Sequence, residues 1–533
     1  MFMRLIIVFL FAATGAFASD PYPKNPNVKV DHYNFFIRVN DTTDVVSGEA
    51  WVTIRFLKPV DSFDLNLIGK KGGATGMEVL QVKGSGKPVE YSFKNDLITI
   101  KTPGVKANDQ VEYMIDYQGI PADGLIISKN KYEDRTFFAD NWPDRGRHWL
   151  PSIDHPAYKA SVEFHVLAPP HYSVIGPGKF VGEFENHDKN NKIVSKLTEW
   201  SEEVPISTKV MAIGIARFSA EMQKPNIGIP VMTWVYPQNK DEGFADFAVG
   251  TGILKFLQEY IGPYPFEKLA HVQSKTKFGG LENASNIFYF ENSVTGNKER
   301  EGLIAHETAH QWFGDSATER DWYHVWLSEG FATYFTAIYM EHAHGKEKLA
   351  EVMQENRRNV LEFAKKNQQP IIDTTIVDIN KVLSTNTYQK ASWVLHMLRK
   401  KIGDENFHNG IREYYKTFRD STALTGDFVN IMQKYSKEDL GPFFQRWLYT
   451  GGHPKIAGTW YWNKKRKTVF LDVEMTGNGE YSVPLEIMVD SKVEPLVIEP
   501  GKQQLRIHSN QKPSKIVLDP GTNLLFEGEI TAK

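Results

Sequence analysis

The sequence predicts an α+β protein built from three consecutive parts: a β region, a mixed region rich in helix, and a smaller second β region. Period-two alternation dominates the first two hundred or so residues, a 3.6-residue period takes over near residue 244, and alternation returns after about residue 450. A chain of 533 residues is also too long for one core, so about two to four domains are expected.

The chain opens with MFMRLIIVFLFAATGAFASD, which reads as a secretory signal over residues 1–18. Arg4 supplies the positive start, Leu5 to Phe11 the apolar run, and Ala16-Phe17-Ala18 the small-residue cleavage pattern. The apolar run is short for a membrane span of about 20 residues. The expectation is therefore an exported protein, periplasmic or secreted, with no stable membrane anchor after cleavage near Ala18.

Residues 19–219 form the expected first β region. In GEAWVTIRF, Ala50, Val52, Ile54 and Phe56 alternate with Glu49, Trp51, Thr53 and Arg55, the pattern of a half-buried strand. Breaks such as KKGG and GSGKP separate similar runs.

The middle part is placed at 220–449. Ile253, Phe256, Leu257, Tyr260 and Ile261 follow the spacing of a buried helical face, which Gly262 and Pro263 should end. Helical patterns then dominate to about Leu448, including VWLSEGFATYFTAIYMEHA and KASWVLHMLRKKIG. In the last part, 450–533, Leu485, Ile487 and Val489 alternate with Glu486, Met488 and Asp490, which suits a small β-sandwich.

Composition removes several kinds of chemistry. Net charge is −3 with both signs mixed, which gives no support to a nucleic-acid partner. There are no cysteines, so disulfides, thiol catalysis and thiolate metal ligation are excluded, and a metal site must draw on His, Asp or Glu.

One stretch has that composition: IAHETAHQWFG, Ile304 to Gly314. His306 and His310 stand four apart in a helical segment, so both rings leave one face about a turn apart, a spacing suited to two ligands of zinc. Glu307 lies beside them, displaced around the helix, where it can activate a water. Alone, this motif is only moderately specific and a third ligand is required. Glu329 comes after 18 intervening residues beyond His310, on what should be a second packed helix. A lone helix carboxylate is ordinarily solvated, but Trp326, Leu327, Phe331 and Phe335 surround Glu329, and a buried carboxylate needs a partner such as a metal.

HETAHQWFGD and WLSEGFATYF together resemble the gluzincin aminopeptidases, the group containing aminopeptidase N and leukotriene hydrolase, with Ser328 where asparagine is commoner. FGGLEN, Phe278 to Asn283, is similar to the family's Gly-x-Met-Glu-Asn exopeptidase motif, with Leu281 for methionine. YQKASWVLHML is similar to the segment carrying the family's catalytic tyrosine, and RHWLPSIDHPAYKA to a stretch of its N-terminal domain. The resemblance runs from about residue 30 to 450, with the motifs in family order.

It implies a saddle-like N-terminal β domain, a thermolysin-like catalytic domain and a small β-sandwich. It also implies one Zn2+ held by His306, His310 and Glu329, which would polarise the scissile carbonyl of a peptide with a free N-terminus. Glu307 would pass a proton from the attacking water to the leaving amine, and Tyr388 would donate a hydrogen bond to the developing oxyanion. Glu282, with help from Glu329, would take the substrate amine, and backbone at Gly279 and Gly280 would lie along the peptide. The same scaffold also serves endopeptidases and an epoxide hydrolase, or an inactive zinc-containing peptide binder. GGLEN argues against a pure endopeptidase, and intact Glu307 and Tyr388 against a binder.

Two departures stand out. Where the family has a Gln or Glu that helps bind the amine, this chain reads FFADNWPDRGRHW, with Asp140, Asn141 and Trp142 near the expected place. Many relatives also carry a helical C-terminal domain over the site, whereas only strand-like sequence follows residue 450, so the site is either less enclosed or covered by another subunit. His342 and His344 read as a solvated helix end rather than a second metal site, and His155, where the family has an acidic residue, as structural.

Overall fold

The computed structural model describes residues 20–223, 227–477 and 481–533, so the expected signal, residues 1–18, lies outside the described residues. Among the described residues no helix is long and apolar enough to cross a membrane.

The first part is built on an eight-stranded sheet. From one edge it runs Lys179–His187, Ile193–Ser207, Lys159–Ala168, Val28–Arg38, Val46–Phe56, Gln110–Ile120, Gly76–Gly84 and Lys87–Pro88. Val28–Arg38 and Lys159–Ala168 pair in parallel, with Phe35 opposite Phe164. Every second residue of Val46–Phe56 is buried, Ala50, Val52, Ile54 and Phe56 among them, as the alternation requires. Val52, Ile54 and Phe56, moved out of water, each contribute roughly 1.5–3 kcal/mol. A smaller sheet of Ser173–Ile175, Gly214–Ala216, Arg135–Ala139 and Leu125–Lys129 brings the segment after Ala139 toward the middle of the molecule.

The middle part opens with strands, not helices. Ser219–Gln223, Val231–Val235, Leu269–Ser274, Asn286–Phe290 and Gly280–Leu281 make a five-stranded sheet in that order. The helical reading from 244 onward missed three of these strands. Leu269–Ser274 is buried at all six positions and pairs in parallel on both sides, so it carries no alternation to read. Helix Gly250–Tyr260 does end where Gly262 and Pro263 require. Helix Glu301–His310 packs against Gly280–Leu281 and against helix Trp326–His344, which in turn packs on Lys346–Ala364 and Ala391–Ile402, with Asp404–Phe418 against the last of these.

The last part pairs Gly501–His508, Thr468–Thr476, Lys455–Asn463 and Glu527–Ala532 in one sheet, and Lys492–Ile498, Val483–Val489 and Ile516–Leu518 in another. Val483, Leu485, Ile487 and Val489 all face the core.

Two buried lysines tie the first part to the middle one. Lys159 Nζ donates to the carbonyls of Asp315 and Ser316 at 2.9 and 2.5 Å, at the end of the turn that follows helix Glu301–His310. Lys209 Nζ meets Glu319 Oε1 at 2.6 Å, with side chains 1% and 0% exposed. Burial works against the Lys209 ammonium, yet the Glu319 and Glu282 carboxylates hold its pKa above the ordinary lysine value. Removing one partner leaves a buried charge unpaired, so Lys209→Met should destabilise the protein by about 3–5 kcal/mol. Lys209→Met with Glu319→Leu should recover most of that loss in a denaturant titration; equal stability of Lys209→Met and the parent would show that the pair does not hold the parts together.

Candidate metal centre

Helix Glu301–His310 puts His306 and His310 on one face, and their Nε2 atoms lie 3.1 Å apart. Glu329, in the first turn of helix Trp326–His344, brings Oε2 to 3.2 Å from His310 Nε2 and 3.5 Å from His306 Nε2. Although Oε2 lies within ion-pair range of both rings, it makes no well-directed hydrogen bond. Three lone-pair atoms therefore converge on one point. Tetrahedral zinc with N and O ligands at 2.0–2.2 Å places its donors about 3.3 Å apart, and the three separations bracket that figure. The residues fit the ion.

The surroundings fix the ring that matters most. His310 Nδ1 lies 3.2 Å from the Phe313 carbonyl and 3.0 Å from Ser328 Oγ. The carbonyl can only accept, so Nδ1 carries a proton, and Nε2 is the nitrogen left to a metal, which would bind there in exchange for a proton. Ser328, in place of the commoner asparagine, still reaches this ring. Gly314 sits at φ +125°, and a Cβ there would collide with Ser328 Oγ, so glycine is required.

Burial alone would lower His310, but the Glu329 and Glu282 carboxylates outweigh it and push its pKa up to about 10. Burial opposes ionisation of Glu329 too, and the His310 and His306 rings hold its carboxyl below the usual range. His306 goes the other way, lowered chiefly by burial.

Glu307 is 5% exposed and points into the same space. Burial raises its carboxyl well above the ordinary value, with His310 opposing only in part, as suits a group that must take up a proton. A Cβ on Gly280 would collide with the Glu307 carboxylate. Glycine at 280 is thus required by the close approach of Glu307. Gly279 differs, since a Cβ there would meet nothing within 4 Å; its carbonyl accepts from Phe290 N at 3.1 Å.

Glu282 follows the short strand Gly280–Leu281, with its carbonyl held by Gln311 Nε2 at 3.1 Å. Its carboxylate is buried, yet Oε1 has no hydrogen-bond partner. Tyr388 lies on a single π-helical turn, Asn386–Lys390, leading into helix Ala391–Ile402. Its ring is near-parallel to His306, with centroids 6.0 Å apart. Burial and the nearby Glu329 carboxylate push the phenol well above its ordinary pKa, so it stays a donor. All these side chains line one cavity of about 330 Å³.

Neither Asp140 nor Asn141 reaches that cavity. Asn141 Nδ2 donates to the carbonyls of Thr208 and Met211 at 3.1 and 2.7 Å, and Oδ1 accepts from Trp149 Nε1 at 2.9 Å. Asp140 is paired with Arg145 and accepts from Thr276 Oγ1 and Lys277 N at 3.0 and 2.8 Å. What the first part contributes to the lining is the Trp142 indole, which sequence reasoning named only as a neighbour. Leu303, Thr333, Leu383 and Gln389 also line the cavity, and none carries a sequence signal.

The remaining histidines find other partners. His344 Nε2 lies 2.8 Å from Glu301, and the His342 ring stacks on Phe256 at 4.4 Å. His155 is buried against Asp20.

Two histidines on one helix, a glutamate on the next and a buried carboxylate beside them make a centre of the metallopeptidase class. Residues 29–210 match the Peptidase M1 N-terminal domain and residues 246–447 the Peptidase family M1 domain, together well over half of the chain. The chain belongs to peptidase family M1.

It is 26% identical over 476 residues to probable aminopeptidase 2 of Sulfurisphaera tokodaii, covering 84% of this chain and 58% of that one. Leucyl aminopeptidase of Saccharolobus solfataricus is 24% identical over 514 residues, 92% of this chain and 62% of the relative. Mouse glutamyl aminopeptidase is 26% identical over 473 residues, 83% and 49%. The chain thus spans between about half and three-fifths of the length of these relatives.

Proposed function

We propose that the protein is an exported zinc aminopeptidase that removes N-terminal residues from peptides. The observation that carries this reading is the buried, unpartnered Oε1 of Glu282 in the cavity that holds the metal donors. An endopeptidase has no use for such a group, because its substrate presents a neutral amide there. A protonated α-amine would satisfy Glu282 and offset the excess of carboxylates. The family and the names of its relatives support the same class.

His306, His310 and Glu329 would hold the ion, which when bound polarises the scissile carbonyl and lowers the pKa of its water toward neutrality. Glu307, with its raised pKa, takes a proton from the attacking water at its carboxylate and delivers it to the departing amine. Tyr388 directs its hydroxyl at the oxygen that gains charge. Trp142 and Phe278 keep water from one wall. Gly279 leaves room for a chain to lie along the cavity edge.

The same reading takes residues 19–219 as a saddle-like β domain, 220–449 as a thermolysin-like catalytic domain and 450–533 as a β-sandwich. The sheet order and the position of the metal helices support it. Export rests on the character of residues 1–18.

The test is a panel of aminoacyl chromogenic amides with and without a chelator. Cleavage that the chelator abolishes and zinc restores supports the proposal; no cleavage of any amide by the zinc-loaded protein rejects it. Because the Tyr388 hydroxyl gains its full interaction only as the carbonyl oxygen becomes anionic, Tyr388→Phe should lower kcat by about 100-fold with KM little changed. Normal kcat with a raised KM would make Tyr388 a wall residue only.

A further inference from the structure

Asp20 touches nothing in the cavity, yet it is bound more completely than most surface carboxylates. Its side chain is fully buried. Oδ2 accepts from His155 Nε2 at 3.0 Å and from Trp322 N at 3.1 Å; Oδ1 accepts from Tyr22 N at 3.1 Å and pairs with Lys24 Nζ at 3.1 Å. Its own amide donates to Asp321 Oδ2 at 3.0 Å, and Lys24 Nζ reaches that same oxygen at 2.9 Å. Burial opposes ionisation, but the His155 ring and the Trp322 amide hold the carboxyl below its usual range.

What this arm grips is the short turn Trp322–His324, which the Asp321 side chain also caps through Tyr323 N. Two structures leave that turn. One is helix Trp326–His344, which carries Glu329 in its first turn. The other is the Trp322 indole, fully buried and packed edge-to-face on Trp142 with centroids 5.7 Å apart and planes at 75°. Trp142 in turn packs edge-to-face on Phe278, at 6.3 Å and 82°, and both line the cavity. His155 holds the other side of the sandwich, its ring 6.2 Å from Trp322. The arm therefore lies one indole behind the cavity wall.

We propose that Asp20–Lys24 is a latch, and that Asp20 is a positioning residue which sets Trp322 and, through it, the Trp142 wall against which a substrate rests. The latch acts on binding rather than on the metal or on proton transfer. This inference rests on the proposed peptidase reading for its kinetic readout, and a second readout does not need turnover.

The experiment compares the full chain with Asp20→Ala and with the isosteric Asp20→Asn, which still accepts from Trp322 N if the alanine variant folds poorly. Asp20→Ala should raise KM about tenfold while kcat stays within about twofold and zinc content is unchanged, the split expected for lost ground-state binding. The near-ultraviolet circular dichroism that Trp322→Phe removes should also be lost in Asp20→Ala, with or without metal. Asp20→Asn, which keeps the oxygen that His155 Nε2 and Trp322 N share but loses the charge paired with Lys24, should raise KM less than Asp20→Ala.

A lower melting temperature with KM and the aromatic signal unchanged would make the arm a mere anchor and overturn the proposal. So would a fall in kcat at constant KM, which would place its action at Glu329. If the unmutated protein cleaves no aminoacyl amide, the peptidase reading falls, and the aromatic signal alone decides the latch: its loss in Asp20→Ala supports the latch and its persistence overturns it.

Discussion

Glu307→Gln should bind zinc at about one per chain and lose at least about a thousandfold in turnover, within the range expected when a positioned base is removed. Glutamine keeps the shape that Gly280 accommodates but cannot take a proton. Its amide also needs none of the desolvation that raises the Glu307 carboxyl, so the fold should tolerate it. His310→Ala, by contrast, removes the donor common to both clusters of potential ligands and should lose metal and turnover together. One cluster is His306, His310 and Glu329; the other is Glu282, Glu307 and His310, and in each the donor atoms lie within 4.8 Å of one another. Metal analysis of Glu307→Gln therefore decides between them. Retained zinc assigns the first set, while loss of zinc would move the ion to the second and leave Glu307 a ligand instead of a base. Full activity in Glu307→Gln would sink the mechanism on either assignment.

The site was more legible in the sequence than the fold that carries it. His306, Glu307 and His310 are fixed by helix geometry, so their spacing alone predicts a shared face. Glu329 could be inferred because a carboxylate amid Trp326, Leu327 and Phe331 needs a partner. The central strands of the middle part could not be seen, since Leu269–Ser274 is buried on both faces and its polar members find partners inside: Gln273 accepts from Tyr236 N and donates to Asn239. The same blindness hides Lys209 and Glu319, which look like surface charges until the two parts are brought together. Trp142 was missed for a subtler reason. An amine calls for a polar group, but the polar neighbours Asp140 and Asn141 have their hydrogen bonds spent on fixing the wall that the indole presents.

That leaves Glu282 as the group expected to read a free amino terminus, since the other two carboxylates that line the cavity are the metal donor Glu329 and the base Glu307. A protonated amine bound by a desolvated carboxylate contributes roughly 2–4 kcal/mol, most of it lost when either partner is neutralised. An N-acetylated peptide should thus be cleaved about 30- to 1,000-fold less efficiently than the same peptide with a free end, given about 1.4 kcal/mol per tenfold. Acetylation removes the charge on one side of this contact and Glu282→Gln on the other, so the two losses should not add: the variant should cleave the free peptide poorly and discriminate little between the two forms. Zinc content should be unchanged in Glu282→Gln, because Glu282 lies outside the first ligand set. Equal cleavage of both forms by the unmutated protein would remove the aminopeptidase assignment and leave a zinc endopeptidase. A variant that still discriminated as strongly as the parent would keep the assignment but transfer amine recognition to Glu329, whose carboxylate lines the same cavity.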